Sequence, residues 1–194
     1  MQESPRVRTL ADALYPATTF QRRIALVVGF SVLNALAAQI AIPLPFTPVP
    51  ITMQTFAVLL TGLLLGSRLG LLALMTYLAE GLSGLPVFAA GRGGPAVLAG
   101  PTAGYLLAFP LAVMIVGWLA ERGWDRRPIT TALAMVLGNL VIYAGGVGWL
   151  AVLLGPERAI TAGLLPFLPG DLLKLLLATA LLPTGWSLVG PRLR

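Results

Sequence analysis

The chain has 194 residues, 57% hydrophobic and only 10% charged, with a formal net charge of +6. A soluble domain carries about 25% charged residues, so this composition describes an integral membrane protein and leaves no room for a soluble catalytic domain. The basic balance does not point to nucleic acid, because the arginines gather in short stretches between apolar runs, as in proteins oriented by a bilayer.

Residues 1–20 are polar and irregular, with Pro5, Arg6, Arg8, Asp12 and Pro16, and form an N-terminal segment expected in the cytoplasm. Arg22 and Arg23 then precede an apolar run over 24–42, long enough to cross a hydrocarbon core of roughly 30 Å. A secretory signal can begin in the same way, but everything downstream is also apolar. Pro43, Pro45, Pro48 and Pro50 forbid a continuing helix and predict an ordered, extended connection. Two short apolar runs follow, over 52–66 and 69–82, separated by Ser67 and Arg68. Gly84, Pro86, the Gly91-Arg92-Gly93-Gly94-Pro95 stretch and Gly100-Pro101 mark a long loop. Further spans are expected over 102–120 and 129–154, joined by a polar turn at 121–128. Residues 159–170, broken by Gly163, Pro166 and Pro169, predict a short helix or packed loop, and the last span covers 171–189.

Six spans place alternate loops on opposite sides. One side then holds Arg6, Arg8, Arg22, Arg23, Arg68, Arg122, Arg126, Arg127, Arg192 and Arg194, against only Arg92, Arg158 and Lys174 on the other. This bias predicts a single multi-pass domain in the cell membrane with both termini cytoplasmic. The Pro-rich loop, the Gly-rich loop and the start of the last span then face outward together. Irregular backbone near membrane depth is tolerated where it lines a cavity, so an external ligand pocket is the expectation.

Lys174 is the single lysine, and Asp171 lies three residues before it, on the same helical face. Charges inside a span are costly and default to function. A plain helix-end cap with a local salt bridge stays open beside that reading. Arg92 is either a ligand contact or a solvated loop arginine. Gln54, Tyr77 and Tyr105 are polar groups near span ends, and Asn139 fits an interhelical hydrogen bond. The absence of Cys and His removes thiolate and imidazole chemistry and the usual transition-metal ligands, so no catalytic or metal site is expected. No lysine-hydroxyl pair follows a glycine-rich stretch to hold nucleotide phosphates, so ATP is not expected to be used by this chain. Ala37 and Ala41 are four apart, as are Ala25 and Gly29, and Ser31 and Ala35, small-residue faces suited to internal packing or to docking a partner, for which Ala37 and Ala41 are the expected pair.

Ile42-Pro-Leu-Pro45, Pro48-Val-Pro-Ile-Thr-Met-Gln-Thr55, Gly84-Leu-Pro-Val-Phe88, Gly100-Pro-Thr-Ala-Gly-Tyr105 and Asp171-Leu-Leu-Lys174, in this order, resemble the biotin-binding S components of energy-coupling factor (ECF) transporters, the BioY family. The resemblance spans about residues 24–190 and departs mildly at Ala103-Gly104, where a glycine pair is usual. It implies an all-α bundle of six transmembrane helices that captures biotin from outside, with no cofactor. Its implied partners are a transmembrane coupling protein and a pair of ATP-binding cassette ATPases. Asp171 and Lys174 match the family's ligand-binding pair; Gln54 and Tyr105 fall in matching motifs. Arg92 is the external cation available for biotin's carboxylate, while Tyr77 and apolar Val87 and Phe88 complete the expected surroundings. Which end of biotin meets the pair stays open. An S component for another vitamin, a membrane enzyme using Asp171 and Lys174, and an assembly subunit without ligand are the competing readings.

Overall fold

The computed structural model describes residues 9–14 and 19–189. The remainder of the expected N-terminal segment, with Arg6 and Arg8, and the C-terminal Arg192 and Arg194 lie outside the described residues. In chain order the elements are α1 (Leu10–Leu14), α2 (Phe20–Gln39), β1 (Ala41–Ile42), β2 (Ile51–Thr52), α3 (Gln54–Leu82), α4 (Ala103–Ala120), α5 (Pro128–Leu154), α6 (Pro156–Gly163) and α7 (Leu168–Val189). Short 3₁₀ turns occupy Ala89–Gly91, Pro95–Ala99, Trp124–Arg126 and Leu165–Phe167. Five helical stretches among the described residues are long and apolar enough to cross a membrane.

The sequence expectation of two short spans at 52–66 and 69–82 is met by α3 in an unusual way. Gly66 has φ 79° and ψ −177°, a conformation open essentially to glycine, and the helix reverses there. Gln54 and Tyr77 prove the reversal: the Gln54 Nε2 donates to the Tyr77 hydroxyl at 2.7 Å, although 23 residues of straight helix would hold them about 35 Å apart. So α3 is a hairpin of two limbs, 54–65 and 67–82. Glu121, just past α4, clamps the turn by accepting from Ser67 N and Ser67 Oγ, each at 2.7 Å.

Helix α2 lies between Phe20 and Gln39, four residues earlier than expected at its start and three at its end. The chain before Pro43 is forced into extended backbone, so Ala41 and Ile42 pair with Thr52 and Ile51 as a small antiparallel ladder instead of ending the helix. This corrects the expected small-residue face: Ala41 stands on β1, and Ala37 is buried inside the chain. The small residues that do face outward on α2 are Ala25 and Gly29.

Helix α2 is tied to the hairpin by polar groups. Asn34 Nδ2 donates to Thr61 Oγ1 at 3.0 Å on one limb, and Ser31 Oγ donates to Glu80 Oε2 at 2.5 Å on the other. Against lipid each of these groups would lack a partner, so pairing them inside fixes the helix rotation. The core is apolar, with Leu59, Leu63, Leu74, Val113, Val116, Met135 and Ile142 almost wholly enclosed. Outward faces carry Ile129, Val152 and Leu173, as a lipid-facing surface requires. Pro128 and Pro156 open α5 and α6 at positions where their missing N–H costs nothing.

Candidate functional site

At the end of the bundle opposite Gly66, a pocket opens between the Pro-rich loop, α3, α4, α5 and α7. Its walls include Val49, Pro50, Leu106, Phe109, Ile142 and Phe167, and its polar edge includes Gln54, Thr55, Arg92, Tyr143, Asp171 and Lys174. The elements that deliver these groups were specified for other reasons. The Pro-rich 43–50 loop is ordered but not extended as expected: it turns at Pro45-Phe46, where Thr47 N donates to Leu44 O at 3.4 Å, and folds back so that β1 and β2 pair antiparallel. Within it, Val49 is buried, and Thr47 Oγ1 donates to the Ala162 carbonyl at the end of α6 at 2.6 Å. The loop is therefore clasped to the far side of the mouth.

Asp171 and Lys174 are both buried, at 6% and 8% exposure. Helix α7 begins at Leu168, so Asp171 lies within the first turn and one turn separates it from Lys174. Lys174 Nζ sits 2.9 Å from Asp171 Oδ1 and donates to Thr55 Oγ1 at 2.8 Å. Thr55 in turn donates to Asp171 Oδ1 at 3.5 Å, and Tyr143 on α5 donates to the other carboxylate oxygen. The pair is thus held by both neighbouring helices rather than by its own helix alone. Hydrogen bonds of this kind to the remaining donors and acceptors are what a buried ion pair needs if its desolvation is to be offset. The carboxylate can accept N–H groups and the ammonium can donate to a carbonyl, so the site offers complementary polarity across a few ångströms.

The other residues singled out from sequence separate into two groups. Gln54 lines the pocket, with its Nε2 engaged by Tyr77. Arg92 also lines it, from an exposed loop position where Nε donates to the Ala89 carbonyl at 3.1 Å. Tyr105 forms part of the wall, but its hydroxyl is used internally: it donates to Gly163 O at 2.6 Å. Its ring rests so closely on Gly146 that any Cβ there would collide at 2.2 Å. Tyr77 and Phe88 do not line the pocket. They are buried behind it in an edge-to-face pair with centroids 5.5 Å apart, and Tyr77 donates to Val87 O. Their place is to anchor the Gly-rich loop that carries Arg92. Asn139 is on α5, one turn below Tyr143, in a side groove that also reaches Asp171.

Sequence reasoning missed Tyr143 and gave Thr55 no role. A signal for Tyr143 existed, since a phenol inside an apolar span needs a hydrogen-bond partner and buried acceptors are few. Thr55 carried none, because a lone threonine on a helix can satisfy itself on its own backbone.

The model of the BioY family matches residues 8–191. The chain belongs to the BioY family. Relatives include the biotin transporter BioY of Thermotoga maritima, 43% identical over 77% of this chain and 86% of its own length. The probable biotin transporter BioY of Pyrococcus horikoshii is 42% identical over 79% and 89%, and the Rhizobium etli biotin transporter BioY is 37% identical over 78% and 85%. Among solved structures, the S-component for biotin from an ECF-type ABC transporter superposes with a TM-score of 0.73, at 24% identity, over 87% of this chain and 94% of that one. The BioY chain therefore has the S-component fold. It is a multi-pass membrane protein of a transporter family, not an enzyme.

Proposed function

We propose that this chain captures biotin at the outer face of the cell membrane as the substrate-binding subunit of an ECF transporter. The observation that carries the reading is the Asp171–Lys174 pair, buried yet presented to a largely apolar pocket in a member of the BioY family. Biotin's ureido group has two N–H donors and a carbonyl, which suit the carboxylate and the ammonium. Its fused rings suit Leu106, Phe109, Ile142 and Phe167, and its carboxylate suits Arg92 at the mouth. Gln54, Thr55 and Tyr143 would orient the pair and the ring.

The energy for uptake would come from partners, a transmembrane coupling protein and a pair of ATP-binding cassette ATPases. The α2 face carrying Ala25 and Gly29 is the surface we assign to the coupling protein, in place of Ala37 and Ala41. Small residues four apart let helices approach closely, and a helix left mostly uncovered by its own chain needs a neighbour.

Thermal unfolding of the purified protein tests the binding reading. Biotin should raise the midpoint by mass action. Lys174→Ala and Asp171→Asn should abolish that rise while each folded protein still elutes as one species. Esterifying biotin's carboxylate should weaken binding to the wild type as much as Arg92→Gln does, and should cost nothing further in that variant. If the ester instead weakens binding to Arg92→Gln as much as it does to the wild type, the carboxylate does not meet Arg92 and the two ends of biotin are exchanged. Biotin binding unchanged by both pair substitutions would sink the site.

A further inference from the structure

At the opposite end of the bundle, a second concavity lies between the 67–82 limb of α3 and α4. Its floor is Leu71, Met114, Ile115 and Trp118, and Ser67 and Arg68 stand at its edge. Trp118 is half exposed, and the Arg122 guanidinium stacks on its ring at 3.4 Å while Nη1 donates to Trp118 O at 3.0 Å. Two of the five guanidinium N–H groups at most are needed for that, so donors remain free to meet an anion. Arg68 is exposed at the other rim. The nearby acid, Glu121, is not among the lining residues, and its Oε1 is committed to the hairpin turn by accepting from Ser67 N and Ser67 Oγ.

We propose that this groove holds an anionic phospholipid, its phosphate between Arg68 and Arg122 and one acyl chain along Leu71, Met114, Ile115 and Trp118. Two features favour a lipid over other occupants. The first is chemical: an apolar trough with cations only at one end has the division of a lipid, and basic pockets between helices take such headgroups. The second is length. The 67–82 limb is about 24 Å long and α4 about 27 Å, whereas α5 is about 40 Å. This wall of the bundle falls short of a hydrocarbon core of roughly 30 Å, so headgroups must dip toward it. Arg68 and Arg122 stand where the dipping phosphate arrives.

The test is lipid titration of the full chain in detergent, read by native mass spectrometry, with phosphatidylglycerol against phosphatidylcholine. Wild type should retain one phosphatidylglycerol in preference to phosphatidylcholine. Each of Arg68→Gln and Arg122→Gln should weaken retention about fivefold and the double variant about thirtyfold. Arg158→Gln, at the opposite end, should change nothing, and Arg122→Lys should keep much of the selectivity because it keeps the charge. Elution as a single species confirms that each variant is folded. Equal retention by wild type and double variant would overturn the proposal. So would displacement by soluble glycerol phosphate, which would make this a free-phosphate site. Loss of a co-purified protein partner in the double variant, with lipid retention unchanged, would give the groove to that partner instead.

Discussion

Asp125 shows how much a single side chain can hold in the turn between α4 and α5. It is fully buried; Trp186 of α7 donates to its Oδ2 at 2.6 Å, and Oδ1 has no partner among the described residues. Burial pushes its carboxyl up to about 6 from 3.8, only partly offset by the Trp186 hydrogen bond, a backbone hydrogen bond and Arg126, whose guanidinium lies over the Trp186 ring. A carboxyl whose folded value is raised binds more protons folded than unfolded between those two values. Stability is then fully present below about 4 and is lost as pH rises through about 6. The penalty at neutral pH is on the order of 3 kcal/mol. Asp125→Asn should remove that pH dependence and unfold at higher temperature than wild type at pH 7.5. The difference should shrink toward pH 5 in melts followed by intrinsic tryptophan fluorescence. An unchanged wild-type profile across this range would mean that the Asp125 carboxyl titrates alike in the folded and unfolded chains. Residues of this kind were illegible in the sequence, because Asp125 sits among Arg126 and Arg127 and looks like a solvated turn. Asp171 and Lys174 were legible for the converse reason: they are charges with apolar residues on both sides. Tyr77 and Phe88 were legible as important but not as wall supports, since distance from a pocket is set by tertiary packing.

Among the elements, the α3 hairpin carries the strongest local demand. Gly66 combines a backbone conformation that L-residues avoid with a Cβ position 2.7 Å from Glu121 Oε1. Gly66→Ala should therefore cost about 1–3 kcal/mol for the backbone alone, with more for displacing Glu121, and the loss should appear as a lowered unfolding midpoint. Gly70→Ala, whose Cβ meets a Val113 methyl at 2.7 Å without a positive φ, should cost less because a side chain can shift. The sequence indicated two short runs with Ser67 and Arg68 between them, which was enough to predict two spans. It did not indicate that a lone glycine makes the turn, since glycines are also common inside membrane helices. The end of α2 was misjudged by the same limit: hydropathy sees Ala41 and Ile42 as span, and only the extended backbone before Pro43 removes them from it.

For the molecule as a whole, we propose the sidedness that arginine placement predicts, and it can be measured without background because the chain has no cysteine. Arg158→Cys should react with a membrane-impermeant maleimide added to intact cells, and Arg127→Cys should react only after the cells are opened. The reverse pattern would invert the orientation and place the Asp171–Lys174 pocket inside. Six crossings were expected because hydropathy and charge alternate together; the structure has five helical stretches long and apolar enough to cross among the described residues, one of them the α3 hairpin. A pocket between the two loops and the start of the last span was expected, but Tyr143 and the apolar wall of Leu106, Phe109 and Ile142 were not, because tertiary packing brings them in from far along the chain. The clasp from Thr47 to the end of α6 belongs at this scale too. It joins the loop to α6 without using any group that the ligand would need. A bond made equally in the empty and filled states cancels from the binding equilibrium. For a ligand that has to pass this loop, the same bond would stay in the barrier for opening, slowing capture and release alike.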